Sequence, residues 1–121
     1  MRKRILIVED ETSIIELLTL VLSREGYEVR ACQNGRDAIA MMKTVHPHLV
    51  ILDVMLPGLD GTNLIKIMSE DEQLESIPVI VTSALIESEK LFKPYPQVKS
   101  FAYKPFMLAD FIAQVKKFIG D

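Results

Sequence analysis

The side chains that could do chemistry stand directly behind apolar runs. Ile5-Leu6-Ile7-Val8 leads into Glu9-Asp10-Glu11, and Leu49-Val50-Ile51-Leu52 into Asp53. Val79-Ile80-Val81 leads into Thr82, and Phe101-Ala102-Tyr103 into Lys104-Pro105. If these ends meet, the carboxylates of Glu9, Asp10 and Asp53 repel one another, by about 1–4 kcal/mol for a pair at 4 Å in a surface-like dielectric. A divalent cation offsets that repulsion. Carboxylates with water suit a hard ion, and Mg²⁺ typically takes one or two of them together with waters and a phosphate. A lysine and a hydroxyl beside such an ion are the groups that neutralise and hydrogen-bond phosphoryl oxygens. The set is therefore suited to a phosphoryl group, with one carboxylate as its acceptor. Taken alone, Asp53 reads equally well as a turn or capping carboxylate, because Val54 to Gly61 behind it carries strong turn chemistry.

What decides between those readings is the set of elements that must position the groups. A continuous apolar run such as Leu49 to Leu52 reads as a strand buried on both faces, the kind found in parallel sheets. Such sheets bind ligands at the carboxyl ends of their strands, which is where Asp53 falls. The first strand is Ile5 to Val8. A helix follows to about Glu25, capped by Thr12 or Ser13, with Ile14, Leu17, Leu18 and Val21 as its apolar stripe and Gly26 as its stop. Tyr27 to Cys32 is a second strand with Val29 and Ala31 on one face. A helix from about Gly35 to Thr44 turns Ala38, Ile39 and Met42 inward. Another, from about Gly61 to Asp71, buries Leu64, Ile65 and Met68. Ile77 to Thr82 and Lys99 to Tyr103 complete five strands, and a last helix runs from about Met107 to Ile119 with Leu108, Phe111, Ile112 and Val115 inward. Strand and helix alternating in this way predict one α/β domain over residues 1–121, a doubly wound parallel sheet.

Composition narrows the classes. The chain has 121 residues, about half of them apolar, and a net charge of −3. That size accommodates one domain with a real core. The charge gives no reason to expect nucleic-acid binding by this domain, and no apolar run is long enough to cross a bilayer. A cytoplasmic protein is expected. The single cysteine, Cys32, excludes an internal disulfide and reads as a buried thiol. His46 and His48 flank Pro47, but two ligands are fewer than a transition-metal centre takes.

In this order the pieces Val8-Glu9-Asp10-Glu11, Leu52 to Gly61, Val81-Thr82-Ser83-Ala84 and Lys104-Pro105-Phe106 resemble the receiver domain of bacterial two-component response regulators, over essentially the whole chain. The resemblance implies a flavodoxin-like fold with sheet order 2-1-3-4-5. It also implies phosphotransfer from a histidine kinase or a histidine-phosphotransfer protein, and an output onto an effector domain or a downstream protein. By the same resemblance Asp53 matches the phospho-accepting aspartate, Asp10 the direct Mg²⁺ ligand, and Glu9 an acidic neighbour that reaches the ion through water. Met55 matches the residue whose carbonyl faces the ion. Thr82 matches the hydroxyl that moves to the phosphoryl group, Lys104 the lysine that pairs with it, and Pro105 a proline preceded by a cis peptide bond. Phe101 takes the place of the switch aromatic.

This chain departs from the pattern in two places. Phe101 has no phenolic hydroxyl, so a switch there works by burial alone. Gln97 and Val98 stand where small residues are usual. An Asp-nucleophile hydrolase of the haloacid dehalogenase type is the alternative class, and it needs a carboxylate two residues after the nucleophile, where this chain has Met55. A flavodoxin would place its flavin phosphate against Glu9-Asp10-Glu11, which would repel it. On the first helix Ile15 and Leu22 are either a widening of the core face or an exposed flank for the phosphodonor's helices. A helix from about Ala84 should end by Phe92, since Pro94 and Pro96 disfavour the helical region for the residues before them. It should be held by Leu85, Leu91 or Phe92, with Pro94 to Gln97 extended.

Overall fold

The computed structural model describes residues 2–56, 60–83 and 86–120, the side chains of 86–88 excepted. The loop Pro57 to Leu59 and the expected helix start at Ala84 and Leu85 lie outside the described residues. The elements are β1 (Arg4–Val8), α1 (Thr12–Arg24), β2 (Glu28–Cys32), α2 (Gly35–Val45), β3 (Leu49–Asp53), α3 (Gly61–Ser69), β4 (Val79–Ser83), a 3₁₀ segment (Ile86–Phe92), β5 (Val98–Tyr103) and α4 (Leu108–Ile119). The strands form one sheet in the order β2-β1-β3-β4-β5, and every pair in it is parallel. Among the described residues no helix is long and apolar enough to cross a membrane.

The period-two alternation of side chains assigns each strand residue to one of two cores. Ile5, Ile7, Ile51 and Ile80 meet Leu18 and Leu22 of α1 and Phe111, Val115 and Ile119 of α4. Leu6, Val8, Val50 and Leu52 meet Ala38 and Met42 of α2 and Leu64, Ile65 and Met68 of α3. β3 and β4 are buried along their whole length, whereas the edge strands β2 and β5 are only partly covered. Each such aliphatic side chain contributes about 1.5–3 kcal/mol on burial. Two of the expected site residues, Asp53 and Thr82, thus sit at the ends of strands buried along their whole length.

Local chemistry sets the element ends. Asn34 Oδ1 accepts the Asp37 N–H at 2.9 Å and Asp60 Oδ1 accepts the Asn63 N–H at 3.0 Å, capping α2 and α3. Gly26 leaves α1 at φ +96°. A Cβ on Gly61 would stand 2.9 Å from the Asp53 carbonyl oxygen and from Val54 Cα. Only glycine therefore lets α3 begin so close to the end of β3. The final helix is tied back to the α1–β2 turn: the Tyr27 hydroxyl donates to the Gly120 carbonyl, and Lys116 Nζ lies 2.6 Å from Glu25.

Four expectations are corrected. The cap of α1 falls to Glu11, without a side-chain bond, so Thr12 and Ser13 lie inside the first turn. The helix starts directly behind the acidic run, Glu11 being the last residue before its first turn. The buried stripe of α1 centres on Leu18 and Leu22, with Ile14, Ile15 and Val21 half-buried, while Leu17 is exposed. Leu22 is therefore core and no docking flank. The fourth helical element is 3₁₀ rather than α. It ends at Phe92 as expected and is anchored by buried Phe92, whereas Leu91 is 51% exposed. Pro94 to Gln97 is not extended but turned, the Tyr95 N–H bonding Phe92 O at 3.0 Å and the Val98 N–H bonding Tyr95 O at 3.1 Å. The fixed φ of each proline suits a tight turn as well as it suits an extended chain, and turning satisfies both donors.

Candidate functional site

The register brings the strand ends to one edge. Val8 pairs with Leu52, so Glu9 and Asp53 emerge side by side; Asp53 pairs with Thr82, and Thr82 with Ala102, two residues before Lys104. Glu9, Asp10 and Asp53 each present a carboxylate oxygen, and these oxygens all lie within 4.8 Å of one another. Glu9, Asp53 and Thr82 are buried, and Asp10 is exposed.

One cation is set among these acids. Lys104 Nζ lies 2.9 Å from Glu9 Oε1 and 3.5 Å from Asp53 Oδ2. The other Glu9 oxygen accepts the Glu11 N–H at 3.2 Å, and Asp53 Oδ1 accepts the Met55 N–H at 3.2 Å. The main chain braces the edge further, with Val54 N–H bonding Thr82 O at 3.2 Å and Lys104 N–H bonding Ser83 O at 2.8 Å. The Lys104–Pro105 peptide is cis.

These contacts leave the acids under-compensated. Burial pushes the Asp53 carboxyl up to about 6, with the Glu9 charge adding to it, against the pull of the Met55 N–H and Lys104. Burial also opposes the charge on Lys104, but its hydrogen bond to Glu9 and the charges of Asp53, Glu9 and Glu11 outweigh that and raise its pKa. One lysine shared between two carboxylates, with a third alongside, leaves a negative surplus that suits a hard cation. The donor set is all oxygen, as Mg²⁺ requires.

Every residue the sequence singled out for this edge is there. Phe101 lies apart, packed on Phe92 at 6.1 Å between ring centroids, on the opposite face of the sheet from Asp53. Met55 is 74% exposed beside the crevice, at the place where a haloacid dehalogenase would need its second carboxylate. His46 and His48 lie far from the acids, at the other end of the strands. Sequence reasoning missed three supports. The direct Glu9–Lys104 pair has no local signature, being set by topology. The close approach at Gly61 is signalled by a glycine straight after a capping aspartate. Gln97, buried, donates from Nε2 to Leu74 O and Ile77 O at 3.2 and 3.1 Å, which is why a long residue replaces a small one there.

The sequence matches the response regulator receiver domain family over residues 5–116. The chain belongs to that family. It is 30% identical over 117 residues to the DNA-binding response regulator MtrA of Mycobacterium tuberculosis, covering 96% of this chain and 50% of that protein. It is also 30% identical over 122 residues to the polar-differentiation response regulator DivK of Brucella ovis, covering 100% of this chain and 99% of that one. The chain thus spans about half the length of MtrA and nearly all of DivK. A putative response regulator from Chloroflexus aurantiacus has the same fold, with a TM-score of 0.92 at 28% identity over the whole of both chains. So does the receiver domain of a sensor histidine kinase from Pseudomonas aeruginosa, with a TM-score of 0.88 at 23% identity over the whole of both chains and a magnesium ion in its active-site cleft. The chain is thus a receiver domain by both family and fold, and the hydrolase alternative finds no support.

Proposed function

We propose that Asp53 is the residue that accepts the phosphoryl group, within a receiver domain that occupies residues 1–121. The observation that carries this reading is the shared lysine, with Lys104 Nζ within 3.5 Å of Asp53 and held by Glu9 on its other side. A carboxylate oxygen of Asp53 attacks the phosphorus of a phosphohistidine. The new C–O–P bond forms as the P–N bond breaks, and the imidazole leaves carrying the electron pair, which a proton then neutralises. Lys104 then turns from Glu9 to the new phosphoryl oxygens, and the Thr82 hydroxyl, one strand over in register, donates to another. Asp10 and Asp53 with the Met55 carbonyl would hold Mg²⁺, Glu9 reaching it through water, and the bound ion would supply the positive charge that the phosphoryl oxygens require. The same groups serve the self-hydrolysis of the acyl phosphate, so the chain acts on itself alone.

The donor is a histidine kinase or a histidine-phosphotransfer protein in the cytoplasm. Its helices meet the groove of about 480 Å³ beside Lys104, lined by Glu11, Ile14, Leu17, Pro105 and Phe106. The output passes to an effector domain or a downstream protein through the edge formed by the 3₁₀ segment and β5, where Phe101 switches by burial. The test is labelling with acetyl phosphate and Mg²⁺, followed by intact mass and peptide mapping. Wild type should gain one hydroxylamine-sensitive phosphoryl group on Asp53, and Asp53→Asn none. Equal uptake by Asp53→Asn would sink the assignment.

A further inference from the structure

Among the described residues, the Tyr103 hydroxyl is a side-chain oxygen hidden from solvent and without a partner in hydrogen-bonding geometry. Buried hydroxyls are seldom left so, because the lost bond to water is not replaced. Its place in the fold is specific. Tyr103 ends β5, pairs with Ser83 next to Thr82, and directly precedes Lys104. Alternation along β5 puts it on the same face as Phe101, where the 3₁₀ segment lies. The carboxylate that reaches it there is Glu89 of that segment: burial first, and then Glu89, push the phenol up to about 12. Glu89 is exposed, on a segment anchored, among its described side chains, by the buried ring of Phe92.

We propose that Tyr103 and Glu89 are the two halves of a latch between β5 and the 3₁₀ segment, ajar in this structure and closed when a phosphoryl group engages Thr82 and Lys104. This coupling rests on the assignment of Asp53 as acceptor. Thr82 and Lys104 are the chain neighbours of Ser83 and Tyr103, and the Lys104 N–H is bonded to Ser83 O, so a pull on the first pair is passed directly to the second. Closing the latch makes an O–H···O⁻ bond, and such charge-assisted bonds are about twice as strong as neutral ones. Phe101 cannot make that bond. The polar part of the coupling thus falls to the residue two places further along the strand.

The experiment is amide hydrogen exchange over residues 86–93, with and without beryllofluoride and Mg²⁺, on wild type, Tyr103→Phe, Glu89→Ala and the double variant. Acetyl phosphate labelling of each protein reports Asp53 separately. In wild type the segment should exchange about tenfold more slowly with beryllofluoride, the worth of one hydrogen bond to a charged group. Both single variants should label normally yet slow less than about threefold, and the double variant no less than either, as expected for two ends of one bond. Full wild-type slowing in either single variant would overturn the latch. Glu89→Ala, on an exposed side chain, decides the matter if Tyr103→Phe fails to fold. Wild type that fails to label at Asp53 would remove the acceptor assignment, and the latch with it.

Discussion

The two ends of β1 and β3 invite comparison. At their carboxyl ends Glu9, Asp10 and Asp53 crowd around one shared lysine. At their amino ends Arg4 and His48 are equally chemical by type, yet each is committed to the main chain. The Arg4 guanidinium donates from Nε to Val45 O at 2.8 Å and from Nη2 to His46 O at 2.9 Å, closing the carbonyl end of α2. His48 Nδ1 accepts the Arg4 N–H at 2.9 Å. The lesson is that polar residues at a strand end do not make a site. A site shows as charge that its neighbours fail to balance, and here only the acidic end shows that.

Four measurements would break or sharpen the contrast, beginning with the largest effect. Arg4→Ala should cost about 2 kcal/mol in denaturant unfolding, because charged hydrogen bonds to the last carbonyls of α2 are lost. A cost under about 0.5 kcal/mol would mean that the amino end is not the closed structure described. Asp53→Asn should act in the opposite direction and stabilise the apo protein by about 1–3 kcal/mol at pH 7. The sign follows from a folded pKa of about 6, above the ordinary 3.8. Stability from this group is fully present below 3.8 and is lost as pH rises through 6, so the ionised acid works against the fold at neutrality. Asparagine removes that slope, and an unchanged slope would disprove the imbalance.

Third, Asp10→Ala should weaken Mg²⁺ binding about tenfold or more in a calorimetric titration, and Glu9→Ala by less, since Glu9 is already engaged by Lys104. Equal losses would refute that ranking. The smallest effect is at His48, whose pKa is lowered by burial and then by the charges of Arg4 and Lys3. A depressed pKa means that its contribution is fully present above about 6.5 and fades as pH falls through the folded value. Acidification should therefore cost less than about 1 kcal/mol here, opposite in sign to Asp53, and His48→Asn should remove that fall.

Much of this was legible because it depends on local pattern. Apolar runs ending in Glu9, Asp53, Thr82 and Lys104 declared both the parallel sheet and the edge where its chemistry gathers. What was not legible depends on relations between distant residues. α1 is apolar nearly all round, with Ile14, Ile15, Leu17, Leu18, Leu20, Val21 and Leu22, so its sequence does not fix which side faces the sheet; packing chose Leu18 and Leu22. The 3₁₀ form of Ile86–Phe92 and the turns after it are not encoded by propensity, which does not separate 3₁₀ from α over so short a segment. The bond between Glu9 and Lys104 joins residues 95 positions apart, and only the strand order brings them together.

The ties at the end of α4 have a mechanical consequence. The helix leaves from β5, at one edge of the sheet, and is fastened at its far end beside the entry to β2, at the other edge. It is a strut braced at both ends. Tension applied at residue 120 would load the Tyr27 bond and the Lys116–Glu25 pair before it could peel the helix from its bed. A torque arising at β5 would likewise be delivered to the opposite margin of the molecule, so α4 carries load as well as covering a core.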